Sequence, residues 1–153
     1  MGVQFTEKDL FWALKILSGW WRINMSCFAD RGEPVKWEFT SSDATTAAPI
    51  TLWDANSVAR PLDPEERLFL LSYTASLEAG TTIVSLFDDK DGDSVVDPGE
   101  RLAEFGNRSG FPVPISGAWN GEGQACGKGR IPKIKAAAVG EIAISGNGYI
   151  IKG

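Results

Sequence analysis

Apolar residues near the start of the chain recur at helical spacing. Residues 6–17 begin with Thr6 as a plausible N-cap, and Ser18-Gly19 ends the run. The apolar positions are Leu10, Ala13, Leu14 and Leu17, and Phe11, Trp12 and Ile16 lie off that stripe. This pattern predicts one amphipathic helix with apolar residues on more than one side. Such a helix can pack over a sheet, or it can also be covered by another subunit.

After Gly19 the pattern changes to short apolar or alternating runs, which are typical of strands. Residues 67–78 are partly apolar on both faces, as in a central strand. The following Ala79-Gly80 predicts a tight hairpin with residues 81–88. The other predicted strands are 20–28, 35–40, 50–54, one short strand in the glycine-rich region 105–130, and two strands around Val139-Gly140 with a kink at 146–148.

One helix and many short strands, without β-α alternation, predict an all-β fold. We expect an antiparallel β-sandwich or jelly roll with one N-terminal α-helix. The chain of 153 residues is long enough for one domain with its own core. The predicted organisation is an N-terminal helix or arm over residues 1–19 and a single β domain over 20–153.

Charge and hydropathy narrow the range of partners. The net charge of −5 argues against nucleic acid, because phosphate neutralisation needs clustered Lys and Arg. The most basic segment, Gly127–Lys135, is interpreted as an exposed strand edge protected by lysines, with a phosphate contact as the alternative. The sequence contains no apolar run long enough to predict a membrane span. The first residues do not resemble a signal peptide, so we expect a protein made in the cytoplasm.

The chain has no histidine, which removes histidine-based triads and histidine zinc sites. Cysteine is limited to Cys27 and Cys126, and the sequence leaves open whether they form a disulfide. A non-catalytic protein is therefore expected.

An acidic stretch, "DKDGDSVVDPGE", runs from Asp89 to Glu100. With Asp89 as position one of a twelve-residue loop, acidic side chains fall at positions three, five, nine and twelve. This is the ligand spacing of an EF-hand-type calcium loop, in which position seven offers a backbone carbonyl. The predicted Ca²⁺ ligands are Asp89, Asp91, Asp93, the carbonyl of Val95, Asp97 and Glu100. Ser94 stands where such loops have glycine.

An apolar run precedes this loop and Pro98-Gly99 lies inside it, so the flanks do not predict two helices. The segment resembles the DxDxD...DPGE calcium loops between strands of secreted β-sandwich domains. The alternatives are a solvated acidic turn, or the DxDG motif of haloacid-dehalogenase phosphatases with Asp89 as nucleophile and Asp91 as acid/base. A glycosidase carboxylate pair is a weaker reading, since no two carboxylates are singled out.

The chain has six tryptophans, and Trp119 stands apart because "GAWNGEG" is a glycine-rich loop with little local core. It is a candidate for anchoring a partner or stacking on a sugar, and the alternative is a place in the hydrophobic core.

The order of "RLFLLSYTASLEAGTTIVSLFDD", "DGDSVVDPGERL" and "GRIPKIKAAAVGEIAISGNGYI" resembles the small decoration (cement) proteins of tailed-phage heads. The resemblance implies a homotrimer that binds the major capsid protein at the capsid surface of the virion. The candidate partner-binding residues are then Phe11, Trp12, Ile16 and Trp119. The alternative is a calcium-dependent carbohydrate-binding or adhesion module.

Overall fold

The computed structural model describes residues 32–77, 83–106 and 115–153, which form ten strands. The strands are β1 (Glu33–Ser41), β2 (Ala48–Pro49), β3 (Thr51–Trp53), β4 (Glu66–Leu77), β5 (Ile83–Phe87), β6 (Arg101–Gly106), β7 (Ile115–Ala118), β8 (Gln124–Ala125), β9 (Lys133–Ala136) and β10 (Ile142–Lys152). Within these ranges there is no helix, and hence none long and apolar enough to cross a bilayer.

The strands make two antiparallel sheets. The six-stranded sheet has the order β3-β1-β10-β4-β7, and β8 pairs with β4 outside this path. The four-stranded sheet has the order β2-β9-β5-β6. The prediction of an all-β, antiparallel fold is therefore confirmed for the described residues.

The predicted helix at residues 6–17 and the predicted strand at 20–28 lie outside the described residues. So do the candidate contacts Phe11, Trp12 and Ile16. The described part belongs to one compact unit, Glu33–Gly153. The division into residues 1–19 and 20–153 stays a prediction.

Strict alternation in β1 shows why these sequences form strands. Val35, Trp37 and Phe39 are buried, whereas the residues between them are exposed. Successive side chains of a strand point to opposite faces, so one face of β1 enters the core and the other meets solvent. The core is one hydrophobic cluster with side chains from both sheets, for example Leu68 and Ile144 from the larger sheet and Leu86 and Ile134 from the smaller.

β4 is a central strand as predicted, since it lies between β10 and β7. The predicted hairpin between residues 67–78 and 81–88 is wrong, because β4 and β5 belong to different sheets. Both segments are apolar enough to be central strands, and each finds its partners elsewhere in the chain. The glycine-rich region contains two short strands, β7 and β8, where one was predicted.

The kink predicted at residues 146–148 is confirmed by a register shift between Asn147 and Gly148, where β10 pairs with β4. Gly146 lies just before the shift. A Cβ atom at this position would lie 1.9 Å from the carbonyl oxygen of Ser72 and 2.6 Å from the Trp37 ring. The absence of a side chain therefore lets β10 and β4 approach closely around Trp37.

We predict that Gly146→Ala lowers the free energy of unfolding by about 1–3 kcal/mol, because the added methyl group forces the backbone of β4 to move. The measurement is urea denaturation. The control is Gly99→Ala, where a Cβ atom meets nothing within 4 Å. Equal stability of the two variants would contradict this account of the glycine.

Candidate metal centre

The acidic stretch forms the loop that joins the antiparallel neighbours β5 and β6. Its base is closed by backbone hydrogen bonds. The amide of Asp88 donates to the carbonyl of Glu100 at 2.8 Å, and the amide of Glu100 donates to the carbonyl of Asp97 at 3.0 Å. The loop is therefore a long hairpin connection whose two ends are held at the sheet.

Backbone amides inside the loop turn toward the carboxylate of its first residue. The amides of Gly92 and Ser94 donate to Asp89 at 2.9 and 3.1 Å. Ser94 has a φ of 60°, in the left-handed region that usually favours glycine. The sequence departure at Ser94 is thus accommodated in the turn conformation that a glycine would adopt. Two further turns follow in the loop. The amide of Val95 donates to the carboxylate of Asp93 at 2.8 Å, and the amide of Asp93 donates to the carboxylate of Asp91 at 3.3 Å.

The predicted ligands come together in two overlapping groups. One consists of Asp89, Asp91 and Asp93, and the other of Asp91, Asp97 and Glu100. In each group the carboxylate oxygens lie within 4.8 Å of one another. Oxygens that share one Ca²⁺ at about 2.3–2.6 Å lie at most about 5 Å apart, so either group fits a single ion. Asp91 belongs to both groups.

Val95, whose carbonyl is one of the predicted ligands, is 49% exposed. Its role as a ligand stays a prediction.

Glu100 is buried, with 5% of its surface exposed. Its Oε1 accepts a hydrogen bond from the amide of Lys90 at 2.8 Å. Its Oε2 is also buried and has no hydrogen-bond partner. A buried carboxylate oxygen without a partner is energetically costly.

The carboxylates affect one another's protonation. The hydrogen bond from the Asp93 amide lowers the pKa of Asp91, but loss of hydration and the Asp93 and Glu100 carboxylates raise it. The net pKa of Asp91 lies above its ordinary value. Like charges disfavour ionisation of a carboxyl group, and a bound cation would remove that effect.

The loop also receives positive charge from the basic segment Gly127–Lys135. Arg130 makes two hydrogen bonds to the buried carboxylate of Asp88, Nε to Oδ1 at 2.8 Å and Nη2 to Oδ2 at 3.1 Å. The amide of Gly127 donates to the same carboxylate at 2.9 Å. The turn that carries Arg130 is attached to β4, since the amide of Gly129 donates to the carbonyl of Glu66.

Lys133 lies opposite Phe87 in the β5–β9 pairing, which places it beside the start of the loop. Its Nζ lies 2.6 Å from Oδ2 of Asp89. This contact, together with the amide of Ser94, lowers the pKa of Asp89. Lys135, two residues along the same face, donates to the carbonyl of Ser94 at 3.3 Å.

The interpretation of this segment as a protected sheet edge is therefore wrong. β9 lies between β2 and β5, and its lysines contact the acidic loop. The alternation Lys133-Ile134-Lys135 was a signal in the sequence that two cations share one face. Nothing in the sequence indicated that this face would be placed against the loop.

The phosphatase alternative expects Asp89 as the nucleophile within a doubly wound α/β fold. Both oxygens of Asp89 accept hydrogen bonds, and the carboxylate is paired with Lys133. The doubly wound α/β fold of that enzyme class is also not seen, because the described residues contain only antiparallel strand pairs and no helix.

Trp119 has a core contact, which is one of the two alternatives that the sequence left open. Its ring packs edge-on against Tyr73 with centroids 5.2 Å apart, and the residue packs against the main hydrophobic cluster. A role in partner binding stays a prediction. Cys126 is buried with a free thiol, while Cys27 lies outside the described residues.

Comparisons with known proteins give no relative: no family model, curated protein or solved structure matches the chain. The interpretation of the site therefore depends on its own geometry.

We predict that Lys133→Met lowers stability near neutral pH and has little effect in acid. Lys133 depresses the pKa of Asp89 below its ordinary 3.8, so the stabilisation is present above that pH and is lost as the pH falls through the folded-state pKa. Urea denaturation at about pH 7 and about pH 2 measures the difference.

The matched control is Lys128→Met, because Lys128 is 3.7 Å from a carboxylate, Glu65, that is 73% exposed, and such surface pairs contribute little. A loss of stability in Lys133→Met that is equally large at both pH values would contradict the proposed pairing.

Proposed function

We propose that this protein is a non-catalytic β-sandwich module whose acidic loop binds one structural Ca²⁺. The observation that carries the proposal is the buried, unpartnered Oε2 of Glu100, which belongs to a group of carboxylates already close enough to share an ion. A bound cation would satisfy that oxygen and offset the repulsion around Asp91. The shared core of the two sheets supports a sandwich-like architecture.

The kind of donor supports calcium. The candidate side-chain ligands are all carboxylates, and hard oxygen donors suit Ca²⁺ and Mg²⁺ better than zinc or copper. Calcium accepts six to eight ligands in flexible geometry, as a loop of this length provides, whereas magnesium demands a regular octahedron.

A structural role is supported by the way the other carboxylates are used. Asp88 and Asp89 are each paired with a cation of the protein itself, Arg130 and Lys133. The sequence has no histidine. The ion would instead fix the end of the β5–β6 hairpin.

The proposal extends to assembly. We propose the capsid decoration role that the sequence pattern implies, in which a trimer contacts the major capsid protein on the virion. It is supported by the all-β architecture of the described residues. A rigid loop suits a protein whose surfaces have to fit a lattice.

We predict that Ca²⁺ raises the melting temperature of chelator-treated protein. At a free Ca²⁺ concentration of about 100 times Kd, binding adds about 2.7 kcal/mol to the free energy of unfolding. For a chain of this size, this corresponds to a rise in melting temperature of roughly 5–10 °C. The measurement is thermal unfolding with and without Ca²⁺, with Mg²⁺ compared at the same concentration.

Glu100→Gln is expected to abolish the Ca²⁺ shift, because the amide removes the charge that completes the site. Glu122→Gln makes the same change at an exposed residue outside the loop and should keep the full shift. An unchanged melting temperature of the native protein at saturating Ca²⁺ would contradict the metal proposal.

For the assembly role, we predict a mass three times that of the 16.5 kDa chain by light scattering after size exclusion. A monomer at every concentration tested would contradict the trimer, because an assembly that uses avidity has to present several copies. This outcome would leave the calcium proposal unaffected.

A further inference from the structure

The solvent face of the six-stranded sheet is made of aligned rows of short polar side chains. Strand register places the residues of each row opposite one another on neighbouring strands. The rows are Lys36–Asn147–Ser72, Glu38–Ser145–Thr74–Ser116 and Thr40–Ala143–Ser76. Most of these side chains are exposed, so the face is open to a ligand.

The solvent face of the six-stranded sheet is concave. A cavity of about 850 Å³ lies over the first two rows and is also lined by Trp53 and Ser57. A second depression shares Glu38, Thr74 and Ser145 with it. A third shares Thr40, Ser76 and Ala143 with the second. The three depressions form one elongated trough across the sheet, which we call the outer trough.

The shape follows from side-chain size. Serine, alanine and threonine make the floor, because their side chains are too short to fill the space above the sheet. Longer side chains stand at the β1 and β3 side, where Lys36 is directly opposite Trp53 in the strand pairing. The outer trough therefore has a hydroxyl-rich floor with Trp53 near its end, and Trp37 and Tyr73 also line it.

The chemistry of the outer trough excludes two classes of partner. It has one lysine and two glutamates, Glu38 and Glu141, so it offers no excess positive charge for the phosphates of a nucleic acid. Protein interfaces have cores enriched in aromatic residues, Met and Arg, and depleted of Ser, Lys and Glu. Here Ser and Thr dominate, and no aliphatic side chain larger than alanine contributes to the rows.

We propose that the outer trough binds a linear, uncharged polysaccharide. Hydroxyl side chains both donate and accept hydrogen bonds, as the hydroxyl groups of a sugar require. The half-buried indole of Trp53 offers an apolar surface for the C–H face of a sugar ring. The linked depressions suit a chain of several sugar units rather than one compact ligand.

The polysaccharide site is independent of the proposed calcium site. The outer trough is built on the larger sheet, whereas the acidic loop joins two strands of the smaller sheet. Binding of polysaccharide is expected to persist in Glu100→Gln at a temperature where that variant is folded. Failure of one proposal is thus distinguishable from failure of the other.

The test is affinity electrophoresis of the full chain in native gels containing one polymer each. The neutral polymers are hydroxyethylcellulose, xylan, mannan, laminarin and amylose, and alginate serves as a charged comparison. We expect retardation by at least one neutral polymer. Ser145→Arg and Thr74→Arg fill the middle of the outer trough, and each should weaken binding by about tenfold or more, equivalent to 1.4 kcal/mol.

The matched control is Val139→Arg, which adds the same side chain at a residue that is 63% exposed and outside the outer trough. It should bind like the native protein. Retardation by none of the neutral polymers, retardation by alginate alone, or unchanged binding by both trough variants would overturn the proposal. The two arginine variants are independent, so misfolding of one leaves the other to decide.

Discussion

Pairing of the acidic loop with the basic segment Gly127–Lys135 is the constraint on which the smaller sheet depends. Asp88 and Asp89 are both buried, and charge buried without a partner is strongly destabilising. Arg130 and Lys133 supply the partners from a part of the chain about forty residues away. Arg130 and Lys133 are themselves 39% and 26% exposed, so each pair contributes less than a fully buried pair would.

The loop divides its carboxylates between two kinds of counterion. Asp88 and Asp89, at the strand end, are neutralised by side chains of the protein itself. Asp91, Asp97 and Glu100 form a separate group, and Oε2 of Glu100 has no hydrogen-bond partner. We therefore view Lys133 as the permanent counterion of the first residue and Ca²⁺ as the proposed counterion of the last. A loop held in both ways would be rigid at both ends.

Local sequence patterns predicted several features of the strands and of the acidic loop. The alternation in residues 35–40 and the bulge at 146–148 depend on neighbours along the chain, and both are confirmed. The spacing from Asp89 to Glu100 likewise predicted that these carboxylates would converge. Long-range register could not be predicted in the same way. The assignment of β4 and β5 to different sheets and the contact of Lys133 with Asp89 depend on pairings between distant residues.

Both sheets use short or charged side chains for purposes that composition alone does not reveal. On the larger sheet, the short side chains of Ser145 and Thr74 leave space above the strands. On the smaller sheet, the long side chain of Lys133 places a positive charge against Asp89. The most direct measurement of the central claim is a crystal structure in the presence of Ca²⁺ with anomalous scattering. We predict one anomalous peak within about 2.3–2.6 Å of carboxylate oxygens of Asp91 and Glu100, with Lys133 still on Asp89. A loop with no peak, and with Oε2 of Glu100 bound to water or to a side chain, would contradict it.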